Sequence, residues 1–199
     1  LQVLPGAGGS RELDAAINNT GLIDIQADTN LVNTGRTFDL YGGNVDIAAG
    51  KRLTVSNTTG GTTVFGSMTD ITGSGDLEFT GNSTLAFVSD YTITSSILNS
   101  TGAQALSLTS TVSHTVQIAA GVTFDLDGGD NTNASIHLEN HGNLNVGGGD
   151  TDINGTFYND GALSFVGSGD HTFANDFQND GTLLIDLAAG TDKVIVQTG

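Results

Sequence analysis

The sequence has no cysteine, no tryptophan and a single proline in 199 residues. Without cysteine there are no disulfides, no thiol nucleophile and no thiolate metal site, and nothing follows about the redox compartment. Basic residues are scarce as well, since five lysines and arginines stand against 22 acidic residues and give a formal net charge of −17. Nucleic-acid binding depends on basic side chains that displace counterions from phosphates. We therefore expect no nucleic-acid partner and no attraction to anionic membranes.

The sequence also lacks an apolar run of about 18 residues, the length that a membrane-spanning helix needs. We therefore expect no direct insertion of this segment into a membrane. Hydrophobic residues still make up 37% of the chain and recur in regular pairs, which is typical of a folded protein. Because the sequence opens on Leu1-Gln2-Val3 without a methionine, we expect it to be part of a longer chain.

A repeat of about 20 residues runs through the C-terminal half. Its pattern is an apolar triplet, then Asn, an acid or His, and Gly, then a second apolar triplet, and it occupies 138–146, 157–165 and 177–185. A Gly-Asp pair recurs with the same period and ends at Asp130, Asp150 and Asp170. Upstream the period weakens, and before Gly60 the apolar pairs cannot be phased.

Triplets of alternating apolar residues predict short strands, and glycine or asparagine between them predicts sharp corners with positive φ. Such short strands are stable when coils stack and bury their inward side chains in columns. The predicted columns are Leu144, Leu163 and Leu183; Val146, Phe165 and Ile185; and Leu138, Phe157 and Phe177. We predict an all-β, right-handed parallel β-helix (solenoid) with coils of about 20 residues, the hand following the general preference of parallel crossovers. An antiparallel sandwich would not explain Gly-Asp pairs at a constant period.

Two regions are predicted, an N-terminal lead-in or cap over 1–19 and the β-solenoid over 20–199. In the first region Ser10 is a candidate N-cap, and Leu13 and Ile17 would share one face of a short helix. Such a helix would cover the strand edges of the first coil. The final strand, at 194–199, shows no comparable cover, which is a second reason to expect further chain.

The Asn-Asp-Gly corners and the Gly-Thr-Asp-Lys-Val-Ile-Val run at 190–196 resemble segments of Gram-negative autotransporter passengers and filamentous-haemagglutinin-like surface adhesins. The resemblance extends over about 20–199 and is sharpest after residue 120. It implies a right-handed parallel β-helix, secretion across the outer membrane, and a place outside the cell or on the bacterial surface. It also implies a role in adhesion or aggregation, as in virulence.

One column suggests a metal site, because stacking in register would bring Asp130, Asp150 and Asp170 within roughly 5 Å of one another. Like charges this close are unfavourable unless a cation bridges them or solvent screens them. The functional interpretation is a Ca²⁺ ladder, and the alternative is a row of solvated turn carboxylates. The sequence lacks the Gly-Gly-x-Gly-x-Asp nonapeptide that identifies calcium-roll repeats.

Other repeated polar residues have structural interpretations. Asn140, Asn159 and Asn179 would form an amide ladder that fixes the register of the coils. His141 occupies the position of Asp160 and Asp180 in later coils, which predicts a solvent-facing corner residue. His137 and Glu139 would share an outward face, but a zinc site needs more ligands than this stretch supplies.

Catalysis is not expected. Polysaccharide-cleaving β-helices need a carboxylate pair for acid and base roles or a basic cluster that neutralises a uronate. Carboxylates are too common here for any pair to be diagnostic, the adjacent bases Lys51 and Arg52 stand alone, and no Gly-x-Ser-x-Gly elbow occurs. We expect no cofactor unless the calcium hypothesis holds.

The sequence thus predicts a non-enzymatic extracellular or cell-surface β-helix segment that acts in adhesion, in aggregation or as a rigid stalk. The expected partners are cell-surface or matrix receptors, glycans or further copies of the chain. Two alternatives stay open, a Ca²⁺-ordered surface-lattice or filament subunit and a carbohydrate-active β-helix enzyme.

Overall fold

The computed structural model describes residues 1–99, 106–127, 131–188 and 190–197, and this part of the chain forms short β-strands and no helix. It therefore contains no helix that could cross a membrane. The strands of the first half are β1 (Gln2–Val3), β2 (Arg11–Asp14), β3 (Ile17–Asn18), β4 (Leu22–Ile25), β5 (Thr29–Val32), β6 (Thr37–Asp39), β7 (Asn44–Ile47), β8 (Arg52–Phe65), β9 (Asp70–Gly73), β10 (Asp76–Phe87), β11 (Tyr91–Ile93) and β12 (Ile97–Asn99). Those of the second half are β13 (Leu106–Thr109), β14 (His114–Ile118), β15 (Thr123–Asp127), β16 (Asn131–Thr132), β17 (Ile136–Asn140), β18 (Asn143–Gly147), β19 (Thr151–Ile153), β20 (Phe157–Asn159), β21 (Ala162–Gly167), β22 (Asp170–Phe173), β23 (Phe177–Asn179), β24 (Thr182–Leu187) and β25 (Lys193–Val196).

The strands wind into a parallel β-solenoid of about eight turns, which confirms the predicted architecture. Each turn contributes one strand to each of three faces. Face 1 consists of a four-stranded sheet, β1-β4-β7-β9, followed by a five-stranded sheet, β11-β14-β17-β20-β23. Faces 2 and 3 form one 16-stranded sheet, because β8 and β10 run through the corner between them. Face 2 begins with β2 and β5 and ends with β21 and β24, and face 3 begins with β3 and β6 and ends with β22 and β25.

The coil length follows the predicted period where the repeat is sharp and departs from it elsewhere. Leu144 pairs with Leu163 and Leu163 with Leu183, at offsets of 19 and 20 residues. Upstream the offsets range from 18 residues, between β2 and β5, to 27 residues, between β12 and β15. The mean of about 22 residues is therefore longer than the predicted 20.

All three predicted columns are confirmed by the strand register. Leu144, Leu163 and Leu183 stack, as do Val146, Phe165 and Ile185. Leu138, Phe157 and Phe177 form the third column, in which the rings of Phe157 and Phe177 lie 5.7 Å apart and nearly parallel. Inward side chains from all three faces join one hydrophobic core that extends from Val3 to Phe173.

The predicted short helix at Ser10 is wrong. Arg11–Asp14 form a strand that pairs in register with β5, and Leu13 and Ile17 pack against the core from successive strands on two faces. A spacing of four residues fits one helical face, but it fits two strands separated by a corner equally well. Pairing with the next coil decides between them, because it satisfies the backbone and buries both side chains.

The corners also differ from the prediction in their backbone geometry. No asparagine has a positive φ among the described residues, and Gly161, in the repeated Asn-x-Gly corner, does not have one either. Glycine is required at this corner because the coils approach closely. A Cβ on Gly161 would lie 2.3 Å from the carbonyl oxygen of Gly142, one coil earlier.

The last coil leaves its apolar side chains partly uncovered. Leu183 and Ile185 continue two buried columns, yet they are 40% and 51% exposed, and Leu184 on the outer side is 51% exposed. Their counterparts in the preceding coil, Leu163 and Phe165, are buried. The end of the stack is thus an apolar surface edged by the backbone of β24.

Candidate functional site

The predicted asparagine ladder lies at the corner between faces 1 and 2. The Nδ2 atom of Asn140 donates to Oδ1 of Asn159 at 2.6 Å, and Asn159 donates to Oδ1 of Asn179 at the same distance. Asn140 also donates to the carbonyl oxygen of Ala162, and both Asn140 and Asn159 are fully buried. The ladder replaces apolar packing at this corner with hydrogen bonds that hold successive coils in one register.

A second asparagine corner, between faces 3 and 1, escaped the sequence analysis. Asn133, Asn154 and Asn175 each donate from Nδ2 to a carbonyl oxygen of the preceding coil, at 2.7, 2.9 and 2.6 Å. The three residues are spaced 21 and 21 apart, so the signal was present in the sequence. The two corners donate in opposite directions along the axis, since the first donates toward the following coil.

Face 1 carries a chain of histidines and carboxylates on its outer side. Glu139 Oε1 lies 3.0 Å from Nε2 of His137, and its Oε2 lies 3.5 Å from Nε2 of His141. The other ring nitrogen of His141 lies 2.6 Å from Asp160 Oδ1. Gln117 donates to Glu139 Oε2 at 2.6 Å from the preceding coil. The outward direction of His137 and Glu139 is as predicted, and these residues contact one another instead of converging on an open position.

These contacts shift the ionisation of two members. The hydrogen bond to Asp160 is the main reason that the pKa of His141 is raised, with Glu139 contributing in the same direction. Partial burial acts to raise the pKa of Glu139, but hydrogen bonds from Gln117 and His137 outweigh it and lower that pKa overall. The network therefore favours a charged His141 between two carboxylates.

The predicted calcium column is only partly visible. Asp130 lies outside the described residues. Asp150 and Asp170 lie in neighbouring coils, where the backbone N–H of Asp170 donates to Asp150 Oδ1 at 2.8 Å. Lys193 Nζ lies 3.0 Å from Asp170 Oδ2 in the coil after that. Within the described part of the chain no group of three or more potential ligands is arranged to hold a metal ion, and the calcium ladder stays a prediction.

His171 lies inside the solenoid and was not singled out by the sequence. It is 1% exposed, and its ring packs 5.1 Å from that of Phe165. Neither ring nitrogen has a hydrogen-bond partner among the residues that the structure describes, and the same holds for the Oγ1 atom of Thr151, its neighbour in the ladder. Burial lowers the pKa of His171, although the carboxylates of Asp150, Asp170 and Asp192 act in the opposite direction.

Face 2 carries a cleft of about 600 Å³ near the N-terminal end of the solenoid. Two outward rows of β8 and β10 form its floor, where Arg52 pairs with Asp76 and Thr54 pairs with Glu78 in the ladder. Arg52 lies 3.1 Å from Glu78 and 3.5 Å from Asp76, and the Thr54 hydroxyl donates to the other Glu78 oxygen at 2.9 Å. Asp28 receives the backbone N–H of Arg52 at 3.2 Å and lines the adjacent corner.

The lining of this cleft is entirely polar. It consists of Ser10, Asp28, Thr29, Asn30, Gly50, Lys51, Arg52, Thr54, Ser56, Asp76, Glu78 and Thr80. A signal for it exists in the sequence, because Arg-Leu-Thr-Val-Ser at 52–56 and Asp-Leu-Glu-Phe-Thr at 76–80 share one alternation of polar and apolar residues. The sequence analysis could not phase the coils in this region and therefore did not bring these residues together.

Comparison with known proteins adds no relative: no family model, no curated protein and no solved structure matches this chain.

Proposed function

We propose that this chain is a non-enzymatic segment of an extracellular or bacterial cell-surface protein, in which the solenoid acts as a rigid rod that adheres through its polar faces. The observation that carries the proposal is the unbroken stack. One apolar core and in-register parallel ladders continue from the first coil to the last described one. A rod of this kind holds side chains at fixed positions along its length, so that weak polar contacts act together on an extended partner.

The composition supports the same proposal. Five basic residues among 22 acidic ones make the outer surface strongly negative, which favours solubility and disfavours nucleic acids as partners. The resemblance of the corner repeats to surface adhesins points in this direction as well. Receptors, matrix components and glycans are therefore the proposed classes of partner.

Adhesion can be tested with the purified chain coupled to fluorescent beads, which are passed over matrix-coated and epithelial-cell surfaces under flow. We expect beads that carry the folded chain to be retained. A Phe165→Asp variant, which places a charge in the buried column, is the matched control, because it keeps the composition and disrupts the coil. Equal retention of the two proteins, or no retention of either, would contradict the proposal.

A second candidate is a subunit of a surface lattice or filament. The specific observation in its favour is the uncovered end of the stack at Leu183 and Ile185, where a further coil could pack. Sedimentation velocity and electron microscopy, each with millimolar Ca²⁺ and with a chelator, separate this function from the first. Long polymers that dissolve in chelator would support the lattice, and monomers in both conditions would eliminate it.

A further inference from the structure

We propose that the cleft on face 2, built on Arg52 and Glu78, is a binding site for neutral saccharides. The proposal deepens the proposed adhesive function, since it assigns one partner class to one site. It rests on the shape, the chemistry and the local charge of the cleft.

The shape fits a small sugar segment. A volume of about 600 Å³ lies within the range of roughly 300–1,000 Å³ that is typical of ligand sites. The cleft is open along the face, so a chain could enter it without a conformational change. Ser10 lines one side of it, and the rows of β5, β8 and β10 supply the rest.

The chemistry fits hydroxyl groups, each of which donates and accepts hydrogen bonds. Glu78 and Asp76 supply acceptors, and the Arg52 guanidinium supplies donors in a fixed plane. These groups are held in place before a ligand arrives, because Glu78 binds both Arg52 and Thr54, and its side chain is only 16% exposed. Prior ordering reduces the entropy lost when a ligand binds.

The local charge sets this cleft apart from the rest of the surface. It contains two of the five basic residues, Lys51 and Arg52, against three acidic ones, Asp28, Asp76 and Glu78. It is therefore close to neutral on a chain with a net charge of −17. Lys51 forms no ion pair within the described part of the chain, which leaves its ammonium group for a ligand. An anionic sugar would meet the negative field of the whole rod, whereas a neutral one would not.

The direct test is saturation-transfer NMR and calorimetry on the intact chain with three probes: a glucose tetrasaccharide, a mannose tetrasaccharide and a galacturonate tetrasaccharide. We expect at least one neutral probe to bind and the galacturonate probe not to bind. Absence of binding by both neutral probes at millimolar concentration would overturn the proposal, and so would a preference for the galacturonate.

Matched variants locate the site. Arg52→Met removes the donors of the cleft, and Arg36→Met removes the same charge from another paired arginine, which contacts Asp14 outside the cleft. We expect Arg52→Met to weaken saccharide binding at least tenfold and Arg36→Met to change it less than twofold. Equal effects of the two variants would place binding elsewhere.

A readout without substitutions guards against misfolding of the Arg52 variant. Titration of the neutral probe into the isotope-labelled native chain should shift the amide signals of Asp28, Arg52 and Glu78 and leave that of Arg36 unchanged. The outcomes also separate this proposal from the adhesive function. Bead retention without saccharide binding would sustain adhesion and reject the cleft, whereas saccharide binding without retention would do the reverse.

Discussion

The Nδ2 atom of Asn140 and the Oδ1 atom of Asn159 are joined by a 2.6 Å hydrogen bond across 19 residues of sequence, with both side chains fully buried. This bond links two coils that otherwise share only backbone ladders and apolar contacts. Removal of the second residue therefore tests how much an interior amide contributes to a stacked coil.

We expect Asn159→Ala to lower the free energy of unfolding by about 2 kcal/mol, because it leaves a buried donor on Asn140 and a partly buried acceptor on Asn179 without partners. Urea denaturation followed by circular dichroism measures the change. Asn145→Ala is the control, since it removes an exposed amide with a single bond to Asp125, and it should cost less than about 0.5 kcal/mol. Similar costs for the two variants would contradict a structural role for the ladder.

Gly161→Ala tests the close approach at the corner. The added Cβ would meet the Gly142 carbonyl oxygen at 2.3 Å, so backbone must move, and we expect a loss of about 2–4 kcal/mol in unfolding free energy. Gly21→Ala is the matched control, because nothing lies within 4 Å of its Cβ position and its φ is not positive. A neutral effect at Gly161, measured by thermal melting, would show that the coils can separate at this corner.

His171 should make stability depend on pH. Because burial lowers its pKa, the unfolded chain binds this proton more readily than the folded one, and stability falls as pH drops below the ordinary value of 6.5. His171→Leu removes that loss, so its stability relative to the native chain should rise between pH 8 and pH 5. Urea titrations at the two pH values provide the measurement, and an unchanged difference would exclude proton uptake at this site.

His141 should behave in the opposite way. Its pKa is raised by Asp160, so its stabilising contribution is complete below 6.5 and is lost as pH rises through the folded pKa. We expect His141→Gln to destabilise the chain at pH 6 and to have a smaller effect at pH 9. NMR titration of the imidazole protons gives the pKa directly, and a value at or below 6.5 would refute the assignment.

The calcium hypothesis for Asp130, Asp150 and Asp170 predicts that millimolar Ca²⁺ raises the melting temperature by several degrees. Asp150→Asn should then abolish most of the rise, whereas Asp28→Asn, remote in sequence, should leave it intact. No shift in the native chain would leave the carboxylates as solvated turn residues.

The register of the last coils could be predicted because the repeat there is regular. Leu144, Leu163 and Leu183 share a column through constant offsets, and the Asn140 ladder follows from the same spacing. The N-terminal coils could not be phased, since their offsets vary from coil to coil and β8 and β10 pass through a corner that elsewhere separates strands. The face 2 cleft lies in this irregular part, so Arg52 and Glu78 could not be joined in advance. The helix predicted at Ser10 failed for a related reason, because local spacing did not reveal the pairing of β2 with β5.

The nearest-neighbour pairing of the coils also bears on how the chain folds. Every ladder joins strands between 18 and 27 residues apart in a chain of 199, which corresponds to a relative contact order of about 0.1, a value typical of fast-folding helical proteins. Folding can therefore nucleate in one pair of coils and propagate outward by adding single turns. The regular coils between Ile136 and Leu187 are the expected nucleus, and the irregular N-terminal coils would be templated on them.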